Sequence, residues 1–302
     1  MIVSNYTPAS GTQYSISHGG YFATIASVGA TLRELTFEGR NLVVPFDADE
    51  VRPKFRGAML APWPNRIVGG TYVFGGENYQ VALSEPERGH ALHGLIGWLE
   101  FGLVSQSESE VTVEGIIEPQ AGYPWRVAVT VTNTLSDAGL ATTVTALNHS
   151  SSPAPWGTGP HPYLVAGEGR VDEWILELPA AKVLLTTKLL APTNVVSVED
   201  AGFDWRDPHP VGDIFIDHAF TEFSQARVRL TDSSGSGVQM EWGPECRWVQ
   251  LHTADQPDPA ISRRGLAVEP MTCPPDAFNS GTDLITLEPD GASTAGWIIS
   301  AI

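Results

Sequence analysis

Residues 126–148 read Arg126-Val-Ala-Val-Thr-Val-Thr-Asn-Thr-Leu135, then Ser136-Asp-Ala-Gly139, then Leu140-Ala-Thr-Thr-Val-Thr-Ala-Leu-Asn148. The first segment has valines at 127, 129 and 131 on one face and polar residues at 126, 130 and 132 on the other, and this period of two predicts a half-buried strand. The central four residues are typical turn formers. The second segment is therefore predicted to be the antiparallel partner of the first.

The same signal recurs along the chain. It predicts one hairpin with arms at 71–74 and 79–83 around a loop at 75–78, and another with arms at 226–231 and 238–242 around 232–237. The chain has 30 glycines and 23 prolines, and no stretch sustains amphipathic helical spacing. We therefore predict an all-β fold of mostly antiparallel strands with little helix, in two or more large sheets packed face to face. No linker or repeat divides the chain, so residues 1–302 are predicted to form a single domain.

The charge of the chain limits its partners. Its 302 residues include 17 Lys plus Arg and 35 Asp plus Glu, which gives a formal net charge of −18. So acidic a protein repels phosphate backbones and anionic lipids, which argues against binding to nucleic acid or membrane.

The cysteines and the ends of the chain bear on its location. Cys246 and Cys273 form no CxxC motif, and we expect two free thiols in a reducing compartment, although one disulfide stays open. The first residues lack the pattern of a signal peptide, and no apolar run is long enough to span a membrane. We therefore expect a soluble, cytoplasmic protein.

One histidine lies between two prolines in the stretch Trp156-Gly-Thr-Gly-Pro-His161-Pro-Tyr-Leu164. The prolines hold His161 in extended backbone, and the glycines before it let a ligand or another segment approach closely. Proton transfer needs a donor held within hydrogen-bond reach of its target, so His161 is a candidate acid. The alternative is a buried histidine that caps a turn.

Two carboxylates follow apolar segments. Leu266-Ala-Val268 reads as a buried strand with Glu269 at its end, where half-burial raises the pKa of the carboxyl and makes it a useful base. Asp217 follows the run Ile214-Phe-Ile216 and needs partners if it is buried. The alternatives are a salt-bridged or exposed Glu269 and an Asx turn at Asp217.

Two further motifs offer polar side chains. Arg66 follows the stiff Pro-Trp-Pro segment around Trp63, so its guanidinium is placed to donate to ligand oxygens. Trp63 would offer the face of its ring to a sugar. The alternative is an arginine on the surface and a tryptophan packed in the core. His90 and His93 are three residues apart, which invites a zinc interpretation. Zinc needs three or four ligands, and the cysteines are remote, so we predict no metal.

The chain resembles the aldose 1-epimerase (galactose mutarotase) family in motifs that occur in the family's order. These are Asn65-Arg66-Ile67 with Gly70-Thr-Tyr-Val-Phe-Gly-Gly76 after it, Leu92-His93-Gly94, Gly159-Pro-His161-Pro-Tyr163, Asp217, and Val268-Glu269-Pro270. The Gly-Pro-His-Pro-Tyr spelling is closer to a bacterial branch of uncharacterised and sulfosugar-linked mutarotases than to the galactose enzymes.

This resemblance implies a galactose mutarotase-like β-supersandwich and cofactor-free interconversion of the α and β anomers of a sugar. It implies that Glu269 is the general base and His161 the general acid, and that Arg66, His93 and Asp217 hold the substrate. Beside an anionic Glu269, we expect the pKa of His161 to be raised. The expected partner is a small-molecule sugar, and the protein is expected to be a monomer or homodimer.

Two alternatives remain at this stage. One is a non-catalytic carbohydrate-binding β-sandwich, because a fold does not fix a function. The other is an epimerase for a sugar 6-phosphate or a sulfosugar, which needs a cationic clamp. Candidates for the clamp are Arg33, Lys54, Arg56 and Arg88.

Overall fold

The computed structural model describes residues 6–302, so residues 1–5 of the N-terminal segment that we interpreted above lie outside it. The strands are β1 Gln13–His18, β2 Tyr21–Ala26, β3 Thr31–Phe37, β4 Arg40–Asn41, β5 Met59–Leu60, β6 Arg66–Val68, β7 Thr71–Phe74, β8 Glu77–Gln80, β9 His90–Leu92, β10 Gly102–Gln106, β11 Glu110–Ile117, β12 Val127–Ser136, β13 Gly139–Asn148, β14 Ala154–Trp156, β15 Gly159–Pro160, β16 Tyr163–Leu164, β17 Ile175–Glu177, β18 Ala180–Thr186, β19 Pro192–Ser197, β20 His209–Pro210, β21 Asp217–Phe223, β22 Arg227–Thr231, β23 Gly237–Trp242, β24 Trp248–His252, β25 Leu266–Met271, β26 Ile285–Leu287 and β27 Ala292–Ala301. Helix is limited in the described residues to α1 Val198–Ala201, α2 Ala277–Ser280 and two 3-10 turns at Pro53–Phe55 and Val171–Glu173.

Three sheets make up most of the fold. The largest has nine strands in the order β10-β11-β12-β13-β27-β23-β22-β17-β20, and the next has six in the order β16-β25-β24-β21-β18-β19. A four-stranded sheet has the order β1-β2-β3-β4. Neighbouring strands in these sheets are antiparallel. The predicted all-β, mostly antiparallel architecture with little helix is confirmed.

One hydrophobic core joins the three sheets. It includes Val129 of β12, Leu35 of β3 and Val268 of β25, all fully buried. Side chains alternate between the two faces of a strand, so the residue after Val268 points away from this core. The outer face of the six-stranded sheet is thereby free to carry polar side chains, and Glu269 is on it.

The predicted hairpin at residues 126–148 is present as β12 and β13, paired from Val127↔Asn148 to Ser136↔Gly139. The hairpin predicted at 226–242 is also present, as β22 and β23. The one at 71–83 has a shorter loop than predicted, because Glu77 and Asn78 belong to β8. Gly75 and Gly76 make the whole turn, with φ of +60° and +85° that glycine adopts without steric cost.

Cys246 and Cys273 are both buried free thiols, as expected. Among the residues described, no helix combines the length and the apolar character that crossing a membrane requires.

Candidate active site

A cavity of about 510 Å³ opens over the outer face of the six-stranded sheet. It is lined by all five residues that were predicted from the sequence to be catalytic or substrate-binding. It is also lined by residues to which the sequence had assigned no role. The predicted five are Arg66, His93, His161, Asp217 and Glu269. The additional residues include Phe55, Asn65, Glu85, Trp98, Tyr163, Phe215 and His252.

Glu269 forms the floor of the cavity. It is only 2% exposed and lies within β25 rather than after it, because the strand continues through Pro270 to Met271. The half-buried position at a strand end predicted from the sequence is therefore wrong. Burial, and secondly the negative charge of Asp217, raise the pKa of Glu269 well above its ordinary value of 4.5. Its Oε2 accepts no hydrogen bond from the residues described.

His161 contacts Glu269 directly. Its Nε2 lies 3.3 Å from Oε1 of Glu269, and the histidine is 5% exposed. The ring stacks on Tyr163 with centroids 5.1 Å apart. Its backbone is tied down on both sides, since its N–H donates to Ala58 and its carbonyl accepts from Gly57. These two hydrogen bonds hold the histidine firmly, while its extended backbone stays a prediction.

Burial changes the expected protonation of His161. It lowers the pKa of the imidazole to about 3, with a smaller effect in the same direction from His252. The expectation of a raised pKa is therefore wrong for the sugar-free site. It assumed an anionic Glu269, whereas burial penalises the charge on both members of the pair.

His93 completes a cluster with His161 and Glu269, whose donor atoms lie within 4.8 Å of one another. The backbone N–H of Asn65 donates to Nδ1 of His93 at 3.2 Å, so the neutral ring carries its proton on Nε2. A histidine that binds a metal through Nε2 must hold its proton on Nδ1. Because Nδ1 of His93 faces a donor, the cluster fits a hydrogen-bonding site better than a zinc site.

Arg66 is buried rather than on the surface. Its Nε and Nη2 donate to the two oxygens of Glu85 at 2.8 and 3.0 Å, and its Nη1 donates to Oδ1 of Asn65 at 3.2 Å. Arg88 donates to the same Glu85 at 2.5 Å. A guanidinium has five N–H groups, so one on each Nη of Arg66 stays available to the cavity.

Asp217 is positioned by the neighbouring strand. Nε2 of Gln250 on β24 donates to Oδ1 of Asp217 at 2.6 Å, and Nδ1 of His252 lies 4.0 Å from Oδ2. Gln250 also pairs across the ladder with Glu269. Asp217 begins β21 and forms part of this cluster, so the Asx-turn alternative does not apply.

One expectation about a neighbouring residue needs correction. Trp63 is 3% exposed and packs edge-on against Phe278 in the core, so it offers no face to a sugar. His90 does not line the cavity with His93. Its Nε2 lies 3.0 Å from the carbonyl oxygen of Leu189. Trp98 is the tryptophan that lines the cavity.

Of the four cations considered as a clamp, two line the cavity. Lys54 and Arg88 are exposed at its wall. Arg56 is bound to the carbonyl of Pro45 and Arg33 to that of Phe46, so neither reaches the site directly.

Known proteins are similar in sequence to this chain over much of its length. The family model described as aldose 1-epimerase matches residues 12–300 of the chain. The uncharacterized protein YihR of Escherichia coli K12 is 35% identical over 280 residues, covering 92% of this chain and 90% of that protein. Galactose mutarotase of Bos taurus is 28% identical over 207 residues, covering 62% of this chain and 58% of the bovine one.

Solved structures share the fold. The GalM/aldose epimerase homologue of C. elegans superposes with a TM-score of 0.83 at 20% identity, covering 96% of this chain and 99% of that one. Galactose 1-epimerase of Lactobacillus acidophilus superposes with a TM-score of 0.79 at 18% identity, covering 96% and 94%. With a family match over nearly its whole length, the chain belongs to the aldose 1-epimerase family.

Proposed function

We propose that this protein interconverts the α and β anomers of a hexose by acid–base opening and closure of the sugar ring, without a cofactor. Glu269 acts as the base and His161 as the acid. The observation that supports this proposal is the 3.3 Å contact between the two side chains at the floor of a sugar-sized cavity. A site that only bound sugars would need no buried pair of this kind.

The proposed reaction balances with one proton on the pair. In ring opening, Glu269 takes the proton of the anomeric hydroxyl while His161 gives a proton to the ring oxygen. The bond between C1 and the ring oxygen breaks, and C1 becomes an aldehyde. Rotation about the C1–C2 bond then turns the other face of the aldehyde toward the ring-closing hydroxyl, and closure reverses both proton transfers. Each positioned transfer contributes typically 10²–10⁴-fold to the rate.

Burial of the pair suits both directions of the reaction. The neutral form, with the proton on Glu269, is the state that follows ring opening, and the raised pKa of Glu269 favours it. The ion-pair form contains the same number of protons and is reached by moving one proton across the contact. A buried imidazolium gives up its proton readily and a buried carboxylate takes one readily, so desolvation makes each group strong in its role.

The remaining predicted residues bind and orient the substrate. Arg66 offers its two uncommitted N–H groups to sugar oxygens, and Glu85 fixes the plane of its fork. The Nε2–H of His93 supplies a second donor near His161, whose ring centroid is 5.0 Å away. Asp217, held by Gln250, accepts from sugar hydroxyls.

A second candidate substrate is an anionic hexose, either a sugar 6-phosphate or a sulfosugar. It is favoured by the exposed Lys54 and Arg88 in the cavity wall. The net charge of −18 opposes the approach of anions, although a local cluster of cations can override it.

Polarimetry of freshly dissolved α-anomers tests both candidates on one panel of neutral, phosphorylated and sulfonated hexoses. Faster equilibration of the neutral hexoses supports a neutral hexose as the substrate. Activity that is confined to the anionic hexoses, and is lost in Lys54→Ala and Arg88→Ala, supports an anionic hexose as the substrate. Sugar binding without faster equilibration on any member supports the non-catalytic binding protein instead.

A further inference from the structure

A second cavity, of about 220 Å³, lies beside the catalytic one, and we call it the Tyr163 pocket. Both cavities have Lys54, Tyr163 and Gln256 in their walls. The catalytic pair lines only the larger cavity, and Arg56 lines only the smaller one. Tyr163 is buried, and its hydroxyl donates to the carbonyl oxygen of Lys54 at 3.1 Å. These two residues therefore form a fixed wall between the cavities.

Three cations line the Tyr163 pocket without a carboxylate partner. They are Lys54, Arg56 and Arg264, and none of them forms an ion pair within residues 6–302. Most of the other lysines and arginines do form one. The chain has 35 Asp plus Glu against 17 Lys plus Arg, so carboxylates are not scarce. Unpaired cations that converge on one cavity favour an anion as its occupant.

Arg56 is the best anchored of the three cations. Its Nη1 donates to the carbonyl oxygen of Pro45 at 2.9 Å, and its guanidinium carbon lies 5.8 Å from the centroid of the Tyr163 ring. Its Nε is buried and has no acceptor among the residues described. A buried N–H group without an acceptor is costly. A carboxylate can accept two parallel hydrogen bonds from such a fork, so it is a suitable ligand for this side chain.

The other walls of the pocket are largely apolar. Tyr163 and Ala254 belong to a small hydrophobic cluster against which Val44 packs, and all three line the pocket. Ile261, which also lines it, is 58% exposed. The apolar part of a ligand would cover this surface and remove it from water. The volume equals that of about seven water molecules, so a bare inorganic anion would leave much of it unfilled.

We propose that the Tyr163 pocket binds a small organic anion, a carboxylate on an apolar body, at a site separate from the sugar site. Arg56 holds the carboxylate, and Lys54 and Arg264 add positive charge around it. The apolar body lies against Tyr163 and Ile261. The site does not depend on the proposed epimerase activity, because it contains neither member of the catalytic pair. Its one link to that pair is the Tyr163 ring, which stacks on the catalytic histidine.

Ligand-observed NMR titration tests the site with benzoate and butyrate as probes. Benzamide and butyramide have nearly the same shapes without the charge, and inorganic phosphate has the charge without the apolar body. We expect a carboxylate to bind, and its amide and phosphate to bind about 10-fold more weakly or less, the loss expected for a charged hydrogen bond or for the apolar contact.

Substitutions in the pocket should change the affinity for the carboxylate in opposite directions. Arg56→Gln should weaken binding about 10-fold. Arg264→Ala removes an exposed cation and cannot disturb the core, and it should weaken binding about two- to fivefold. Glu50→Gln removes the carboxylate that lines the pocket and should tighten binding. The matched control is Lys188→Ala, which removes an exposed cation outside both cavities and should leave the affinity unchanged.

The proposal is overturned if neither carboxylate binds, if the amides bind as tightly as the acids, or if Arg56→Gln and Arg264→Ala both bind like the wild type. Displacement of the carboxylate by glucose or galactose would assign the pocket to the sugar site, and would also overturn a separate site. These titrations measure no mutarotation, so a failure of the proposed epimerase function leaves their outcome unchanged.

Discussion

Nε2 of His161 lies 3.3 Å from Oε1 of Glu269, and both side chains are buried beneath the cavity. Their neutral form and their ion pair contain the same single proton, so activity should follow the protonation of the pair as a unit. Burial lowers the pKa of His161 to about 3 and raises the pKa of Glu269 above 4.5. The profile of activity against pH should therefore have two sides. On the acid side, near pH 3, activity falls because the pair gains a second proton, and on the alkaline side, above pH 4.5, it falls because the pair loses its last proton.

Asp217→Asn should move the alkaline limb of kcat/KM to lower pH. The negative charge of Asp217 contributes to the raised pKa of Glu269, so its removal lets Glu269 ionise at a lower pH. The rate also falls, because Asp217 binds substrate in our proposal. The control is Glu87→Gln, an exposed carboxylate that lines the same cavity. An alkaline limb that stays in place in Asp217→Asn would mean that another group sets it.

Glu269→Gln should stabilise the protein increasingly as pH rises. The pKa of Glu269 is raised in the folded state, so its contribution to stability is fully present below 4.5 and is lost as pH rises toward the folded pKa. Across that window the wild type loses about 1.4 kcal/mol per pH unit relative to the variant. Denaturant unfolding of both proteins at a series of pH values from about 5 upward measures the difference. A constant difference would show that Glu269 is not desolvated.

Arg66→Ala should weaken sugar binding, because a charged hydrogen bond is worth about 1.5–3 kcal/mol. It also leaves the buried Glu85 with Arg88 as its one remaining cation. Arg66→Lys keeps the charge but loses the planar fork, so KM should rise there as well. Arg88→Ala, which removes the exposed partner of the same carboxylate, is the control for a neutral sugar. Unchanged kcat and KM in Arg66→Ala would remove Arg66 from the binding site.

Activity should survive prolonged treatment with EDTA. His93, His161 and Glu269 together have the spacing of a loose metal site, but Nδ1 of His93 faces the N–H of Asn65. The proposed mechanism uses only side chains. Loss of activity with EDTA and its return with zinc would contradict this prediction.

The sequence predicted strands more completely than it predicted the surroundings of the site. Alternation of valines at 127–131 marks a buried face whatever lies against it, and the hairpin was found where expected. Glu269 was misplaced because the apolar run ends at Val268, whereas the strand continues through Pro270 to Met271. That residues 1–302 form one domain stays a prediction.

Residues that depend on distant contacts were missed. Glu85 was not singled out in the sequence. The fold brings it to Arg66, which lies 19 positions earlier in the chain and donates to both of its carboxylate oxygens. Gln250 and Trp98 were likewise without a role until the strands and loops were assembled. The available signal was Gln250 itself, a polar residue between Val249 and Leu251 in the strand Trp248–His252. The direction of the His161 pKa shift depends on the depth of burial, which no local pattern records.

The most direct test of the account is the rate of mutarotation of a freshly dissolved α-hexose by Glu269→Gln, corrected for the spontaneous rate. The glutamine keeps the shape of the side chain but cannot take a proton, so kcat should fall by roughly 10²–10⁴ while the sugar still binds. His161→Asn should lose most of the rate, and the double variant should be little slower than either single one, because the pair acts as a unit. Wild-type kcat in Glu269→Gln would contradict the assignment of Glu269 as the base.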